Sequence, residues 1–332
     1  MTSSPSDSPS DSTSTSTSTS TWQTIAVGFD GSPSATTALD WAAVAASRNG
    51  ATLRIISVVQ YPGMPAGTLE LVPILPASLL SRAHELAADA ALRARNVLDA
   101  ARVETQIVIG TPAEALVLAT ESVQLLVVGN RGRSELGSTV LGSVSFAVAA
   151  HARCAVIVVR EGAVVVGPER GVVVGVDGSS AGDRALEVAA NVADRAGAPL
   201  HIISAWDLPA ADSWAFSYWE TAWVDSDWAR TQRDVAVKVA TAAADRATSQ
   251  HPGLVATSEA HQGPAGAALI RASHNAGLVV VGSRGLGGFA GLVLGSVSHN
   301  AIHGCECPVM VVRSSTSNRP NAAPSDVMTV GS

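Results

Sequence analysis

Lysine is nearly missing from this 332-residue chain: Lys238 stands alone, and the other cations are arginines. That excludes a phosphate loop of the Gly-Lys-Ser/Thr type, which needs a lysine behind its glycines. Positive charge is scarce overall. The formal net charge is −7 and no basic run occurs, which argues against a nucleic-acid partner. Cysteine is limited to Cys154, Cys305 and Cys307. An odd, small count without a basic–apolar leader fits a reducing compartment, so a cytoplasmic location is expected. Cys305-Glu306-Cys307 invites a redox or metal reading, but no second Cys/His pair stands at zinc-finger spacing. No apolar run approaches the ~20 residues that span a bilayer, so no membrane partner is expected.

What the chain does have is apolar bulk, with 47% hydrophobic and 15% charged residues. Those proportions fit compact, well-buried α/β domains, and the length allows about two of them. Residues 1–21 are almost entirely Ser, Thr, Asp and Pro. They cannot bury enough surface to offset their ordering entropy and are expected to be a disordered tail. The polar segment 314–332 is read in the same way.

Between the tails the chain repeats itself. TIAVGFDGS, ending at Asp30-Gly31-Ser32, returns as GVVVGVDGS, ending at Asp177-Gly178-Ser179. Asp30 and Asp177 differ by 147, as do Ser57 and Ser204. Later in each half, VVGNRGRSELGSTVLGSVS (Val127 to Ser145) returns as VVGSRGLGGFAGLVLGSVS (Val280 to Ser298), now at an offset of 153. The difference, 153 − 147 = 6, is a net insertion before the second motif. Such register over two copies marks two structurally equivalent domains, 22–160 and 171–313, joined by a linker at 161–170.

Each half alternates short β-branched runs with alanine-rich helical spacing. In the first half the strands fall at Trp22–Val27, Leu53–Val59, Thr105–Ile109, the run before Gly129, and Ala155–Val159. The matching strands of the second half include Leu200–Trp206, Val255–Ala260 and Pro308–Val312. Long helices are expected near 81–101 and 226–248. This is a β-α-β-α-β-α-β-α-β order, which implies a parallel sheet covered on both faces. Between its second strand and the long helix, the second half carries Trp206, Trp214, Phe216, Tyr218, Trp219, Trp223 and Trp228. That density of aromatic surface calls for a lid packed on its own domain or for a protein partner.

In a sheet of this kind ligands bind beyond the carboxyl ends of the strands, at the switch in strand order. Asp30, Val58 and Gly129 should therefore face one crevice, and Asp177, Ala205 and Gly282 another. The apolar run ending at Gly129 or Gly282 is followed by Gly-x2-Gly, nine residues, and Gly-Ser-Val-Ser. Glycines let backbone N–H groups come close to a ligand. Gly-Ser-Val-Ser reads as a helix start, with Ser143 or Ser296 near the N-cap, and a helix N-terminus suits an anion. Asp30 and Asp177 can serve the crevice or cap the first helix of each half. Arg131 and Arg284 can pair with phosphate or stand as loop arginines.

Gly-x2-Gly-x9-Gly-Ser resembles the ATP-binding signature of the universal stress protein family, and the chain resembles two such domains in tandem. The resemblance covers everything but the tails. It implies an α/β fold of two tandem doubly wound five-stranded parallel-sheet domains. These would be Rossmann-like and similar to the adenine-nucleotide alpha hydrolases, with the last strand of each half pairing the halves. It also implies roles. Gly28, Asp30 and Val58, with Gly175, Asp177 and Ala205, would hold adenine. Gly129, Asn130, Arg131 and Gly132, with Gly282, Ser283, Arg284 and Gly285, would hold ribose and phosphate. Gly142, Ser143, Val144 and Ser145, with Gly295, Ser296, Val297 and Ser298, would hold the terminal phosphates. Mg²⁺ would be held through the phosphates rather than by a side chain. Ala205 stands where valine is usual, beside Trp206, so the second site is expected to be the weaker.

No nucleophile–base pair is evident in the sequence, and His151 and His299 are not equivalent positions. The expectation is an ATP-binding stress-response protein whose occupancy switches a conformation or a partner surface, including a homodimer, with slow or no hydrolysis. A flavin or NAD oxidoreductase would place Gly-x-Gly-x-x-Gly after the first strand, where this chain has Gly-Phe-Asp-Gly-Ser or Gly-Val-Asp-Gly-Ser. A scaffold that binds no nucleotide would not need an intact motif in both halves.

Overall fold

A computed structural model describes residues 22–60, 77–132, 141–207, 227–286, 293–313 and 329–330. The first tail lies outside these residues, as do most of the tryptophan-rich segment and parts of both glycine loops.

The first half runs β1 (Thr24–Gly28), α1 (Pro33–Asn49), β2 (Thr52–Val59), α2 (Ala77–Ala94), β3 (Val103–Ile109), α3 (Pro112–Ala119), β4 (Leu125–Gly129), α4 (Ser143–His151) and β5 (Ala155–Val159). The second runs β6 (Val172–Gly175), α5 (Ser180–Ala196), β7 (Leu200–Trp206), α6 (Asp227–Gln250), β8 (Ala256–Gln262), α7 (Ala265–Ser273), β9 (Leu278–Gly282), α8 (Ser296–Gly304) and β10 (Val309–Val312). The expected alternation is present in both. The long helix α2 begins four residues earlier than expected, at Ala77, and ends at Ala94.

All strands join one sheet of eleven, in the order β11-β3-β2-β1-β4-β5-β10-β9-β6-β7-β8. Within each half the pairing is parallel, as the helical crossovers require. The halves meet where β5 and β10 pair antiparallel, with Val158 opposite Val309 and Val156 opposite Val311. The last strands therefore do join the halves. The tail read as disordered contributes β11 (Thr329–Val330), which pairs antiparallel with Val108 and Ile107 of β3. The rest of that tail lies outside the described residues.

Two cores lie on opposite faces of the sheet, each continuous through both halves. One is built on α1, α2, α5 and α6, and the other on α3, α4, α7 and α8. Alternate strand residues divide between them: Ile25 and Val27 enter the first, Ala26 the second. Helices α2 and α6 face the sheet with alanine stripes, Ala83-Ala87-Ala90-Ala94 and Ala236-Ala240-Ala243-Ala247, whose small side chains allow close approach. Helices α1 and α5 are bounded alike: Ser32 and Ser179 accept from the N–H of Ala35 and Gly182, and Gly50 and Gly197 close the C-termini in the left-handed conformation.

A reciprocal tie crosses the junction. Arg160, just after β5, donates to the carbonyls of Ile302 (2.9 Å) and His303 (2.7 Å) at the end of α8. Arg313, just after β10, donates to the carbonyls of Ala149 (2.6 Å) and Ala150 at the end of α4. The two arginines differ by 153, the offset of the glycine motif. Each half thus caps the other's motif helix at its negative end. Phe146 of α4 packs edge-on against His299 of α8 at the same junction, with ring centroids 5.8 Å apart.

Candidate functional site

The strand order places one switch between β1 and β4 and another between β6 and β9. Beyond the second switch lies a cleft of about 340 Å³. It is lined by Gly175, Asp177, Ala205, Gly282, Arg284, Gly285, Gly295, Ser296, Val297 and Ser298. Every second-half candidate except Ser283 is therefore gathered on one wall or another. Ser283 sits beneath, 2% exposed, with its N–H on the Val312 carbonyl at 2.8 Å. The apolar floor contains Leu269 and Ile203, which sequence reasoning missed. The strand–helix pattern assigns both to core, and only the third dimension opens the core to the cleft.

The aspartates organise the turns. Asp177 accepts from the Ser179 N–H (2.9 Å) and hydroxyl (2.5 Å) with one oxygen, and from the Leu286 N–H (2.8 Å) with the other. The end of β6 is thereby tied to the glycine loop after β9. Asp30 accepts from the Ser32 N–H at 2.9 Å. The side-chain caps of α1 and α5 are Ser32 and Ser179, not the aspartates, which support those serines from behind.

The glycines are required for contact more than for turning. A Cβ on Gly129 would lie 2.6 Å from Ser34 Oγ and 2.8 Å from the Ser34 carbonyl carbon. One on Gly282 would lie 3.0 Å from the Ala181 backbone. The strand end thus packs directly on the first turn of α1 or α5. One on Gly132 would lie 3.1 Å from the Asp30 carboxylate, and one on Gly285 would run into that of Asp177.

At the motif helices the expectation needs one correction. The N-caps are Gly142 and Gly295, not Ser143 and Ser296, and among the described residues no side chain caps either helix. The position of the helix start is set by the loop before it: the Gly142 N–H meets the Asn130 carbonyl at 2.8 Å, and Gly295 repeats this on Ser283 at 2.8 Å. The contrast with α1 and α5 matters: Ser32 and Ser179 each satisfy one leading N–H, whereas among the described residues no side chain caps α4 or α8, a helix start that suits water or an anion. Ser145 and Ser298 turn inward and donate to the Gly129 (2.5 Å) and Gly282 (2.6 Å) carbonyls. Their hydroxyls brace the loop, while Ser143 and Ser296 are exposed.

In the first half Gly28, Asp30, Val58, Gly129, Asn130, Arg131, Gly132, Gly142, Ser143, Val144 and Ser145 take the matching places at the ends of β1, β2 and β4 and the start of α4. Asn130 is buried, and Ser34 donates to the Arg131 carbonyl at 2.6 Å. Burial chiefly, with the charge of Arg131 adding to it, lowers the pKa of Arg160 from its ordinary value. Burial with Arg284 does the same to Arg313. Each motif arginine therefore stands near its half's clamp arginine, and an anion bound at the motif would relieve that repulsion.

The second half also holds a polar network that the sequence reading did not assemble. His201 of β7 meets Thr257 Oγ1 (2.9 Å) and Glu259 (3.3 Å), and Glu259 also meets His261 (3.2 Å), which Arg271 contacts in turn. The period-two spacing of Thr257, Glu259 and His261 was the available signal. The three thiols are buried or partly buried, and desolvation raises their pKa values, Cys305 to about 11 and Cys154 and Cys307 to about 12. Protonated, they make poor nucleophiles and metal ligands. Among the described residues no helix is long and apolar enough to cross a membrane.

The fold defines a tandem α/β protein with a cleft at the carboxyl edge of its second half. The chain belongs to the universal stress protein family, whose model matches residues 21–160 and 170–313. A universal stress protein of Mycobacterium tuberculosis is 32% identical over 302 residues, 88% of this chain and 96% of its own length. Another from that organism is 31% identical over 306 residues, covering 87% and 94%. The crystal structure of a universal stress protein from Archaeoglobus fulgidus matches with a TM-score of 0.57 at 21% identity, over 87% of this chain and 96% of its own. At that identity it speaks for the fold.

Proposed function

We propose that each cleft binds an adenine nucleotide, ATP with Mg²⁺ carried on its phosphates, and that occupancy switches a partner surface with slow or no hydrolysis. The observation that carries the reading is the pair of helix starts at Gly142 and Gly295 without a side-chain cap among the described residues, the second opening onto the cleft lined by Gly282, Arg284 and Gly285. The N–H groups there would take the terminal phosphates, with Ser143 and Ser296 beside them. The ends of β1 and β2, or β6 and β7, would take the base. Bound Mg²⁺ would supply charge neutralisation on the phosphates. The 340 Å³ cleft lies within the range of small-molecule sites, roughly 300–1,000 Å³. Partner binding, including self-association, would respond through the glycine loops, which are exposed at Arg284 and Leu286.

The test is to denature freshly purified protein and identify and count the released molecules. Two ATP per chain are expected. Gly295→Val should leave one, with little loss of stability. Gly295 has φ −73°, which valine tolerates, and an added Cβ finds its nearest neighbours at 3.4 Å. Gly142→Val should remove the other. One ATP from the unaltered chain would point to the half with Ala205 and Trp206 as the empty one, and its retention in Gly295→Val would identify it. A released flavin or NAD, or no ATP bound even on titration, would overturn the proposal.

A further inference from the structure

One guanidinium touches the machinery of both halves. Arg313, just after β10, donates to the carbonyls of Ala149 (2.6 Å) and Ala150 in the last turn of α4. The same side chain reaches the Val293 carbonyl at 3.4 Å. Val293 stands two residues before Gly295, where α8 starts, and so belongs to the approach to the second-half site. Helix α4 belongs to the first half. It has nine residues, a length of about 13 Å, and its other end starts at Gly142, the end proposed above for phosphate.

Arg313 is more than a brace. A helix end leaves its last carbonyls without intrahelical donors, so the grip on Ala149 and Ala150 fixes where α4 stands. Nearer its start Ser145 donates to the Gly129 carbonyl at 2.5 Å, so a shift of α4 reaches the glycine loop of the first half. Arg313 is also poorly satisfied. Its Nε is buried and has no hydrogen-bond partner among the described residues. Burial first, then the charge of Arg284, lowers its pKa from the ordinary value. A buried, unmatched charge is costly, and an anion beside Arg284 offsets part of that cost. Arg160 makes the mirror clamp on α8, and Val140, the counterpart of Val293, lies outside the described residues.

We propose that Arg313 is a positioning residue that couples the two sites, so that a nucleotide in either one tightens the other. This rests on the reading of both halves as nucleotide sites. An anion beside Arg284 offsets the repulsion on Arg313 and orders the loop at Val293. The guanidinium then grips the end of α4 more firmly, and α4 sets its leading N–H groups and Ser145 against the first-half loop. In the other direction, phosphate at the start of α4 fixes that helix, which fixes Arg313 and the loop at Val293. Both directions carry the same factor, because coupling belongs to the pair of sites.

The experiment titrates ATP with Mg²⁺ by calorimetry into the full-length protein freed of nucleotide, and into Gly142→Val and Gly295→Val, which keep one site each. The product of the parent's two binding constants, divided by the product of the two single-site constants, is the coupling factor. A factor of about five or more is expected. Arg313→Lys keeps the charge but lacks the fork that reaches Val293 and α4 together, so it should bring the factor below about two. Should that variant fail to fold, hydrogen exchange decides. ATP added to Gly142→Val, where only the second site fills, should slow exchange at residues 148–152, the end of α4. A factor of one in the parent, an unchanged factor in Arg313→Lys, or unaltered exchange at 148–152 would overturn the proposal while leaving two nucleotide sites in place. Fewer than two ATP bound per parent chain would overturn it together with the two-site reading, and the count tells the two failures apart.

Discussion

The two halves follow one plan but finish their outer edges differently. The edge strand of the first half, VETQIVI, is apolar at its end, and β11 covers it by pairing with Ile107 and Val108. The edge strand of the second half, ATSEAHQ, is largely exposed, and no described strand covers it. An open sheet edge invites association with another chain, and the two usual remedies are to cover it or to make it polar. This molecule uses one on each side. The same divergence runs inward. Where the second half sets His201 against Thr257 and Glu259, the first sets Arg54 against Glu104 (3.2 Å) and Ser122 (3.1 Å). The glycine motif and the clamp arginines, by contrast, kept identical spacing. Parts that touch the clefts and the junction were held, while parts that face solvent drifted.

That contrast can be broken most severely at the strand ends. Gly129→Val and Gly282→Val should each cost about 3 kcal/mol or more, because backbone rather than a flexible side chain stands in the way. The nearest atoms are 2.6–2.9 Å away at Gly129 and 3.0 Å at Gly282, so the first variant should be the more damaging. Denaturant midpoints of the two variants check the order, and a reversed order would sink the packing explanation. The junction comes next. Arg160→Ala and Arg313→Ala each remove charged hydrogen bonds to helix-end carbonyls and should lower stability by about 2 kcal/mol. If one variant unfolds early and the other matches the parent, the clamp is not reciprocal.

The smallest effect is a pH dependence confined to one half. Burial first, then the charges of His299 and Arg160, lowers the pKa of His303 from its ordinary value. A group whose folded pKa is depressed lends stability that is present above the unfolded pKa, about 6.5, and is lost as the pH falls through the folded value. The melting temperature should therefore decline below about pH 6.5. His303→Asn should flatten that decline, whereas an unchanged slope would assign it to other groups. Ala150 occupies the equivalent place in the first half, so no matching change there is expected.

Much of this was legible in the sequence because repetition supplied a control. A single Gly-x2-Gly is ambiguous; two copies offset by 153, following two Asp-Gly-Ser strand ends offset by 147, fix the order of strands and the residues that meet at their ends. The joining of the halves through their last strands was implied by the family resemblance, and its antiparallel direction came from the structure. What could not be read was anything set by distance across the fold. The demand for glycine at 129 and 282 comes from a helix 95 residues away in the first half and 101 in the second. The capping residue is one position earlier than the serine pattern indicated, because a carbonyl on the preceding loop holds Gly142 and Gly295. The tryptophans at 214, 219 and 223 lie outside the described residues, and their role as lid or partner surface stands as an expectation.

The covalent joining of the two halves through residues 161–170, between β5 and β6, has a consequence of another kind. Two separate chains that pair through their last strands come apart on dilution and exchange partners. Here the second half always meets the first at an effective concentration in roughly the millimolar range, set by the linker. Assembly is therefore independent of how much protein the cell makes. No mixed population of pairings can form, and every molecule carries one copy of each version of the site. A substitution in one half is always read against the same unaltered partner, so the two can specialise without either needing to work as a pair with itself.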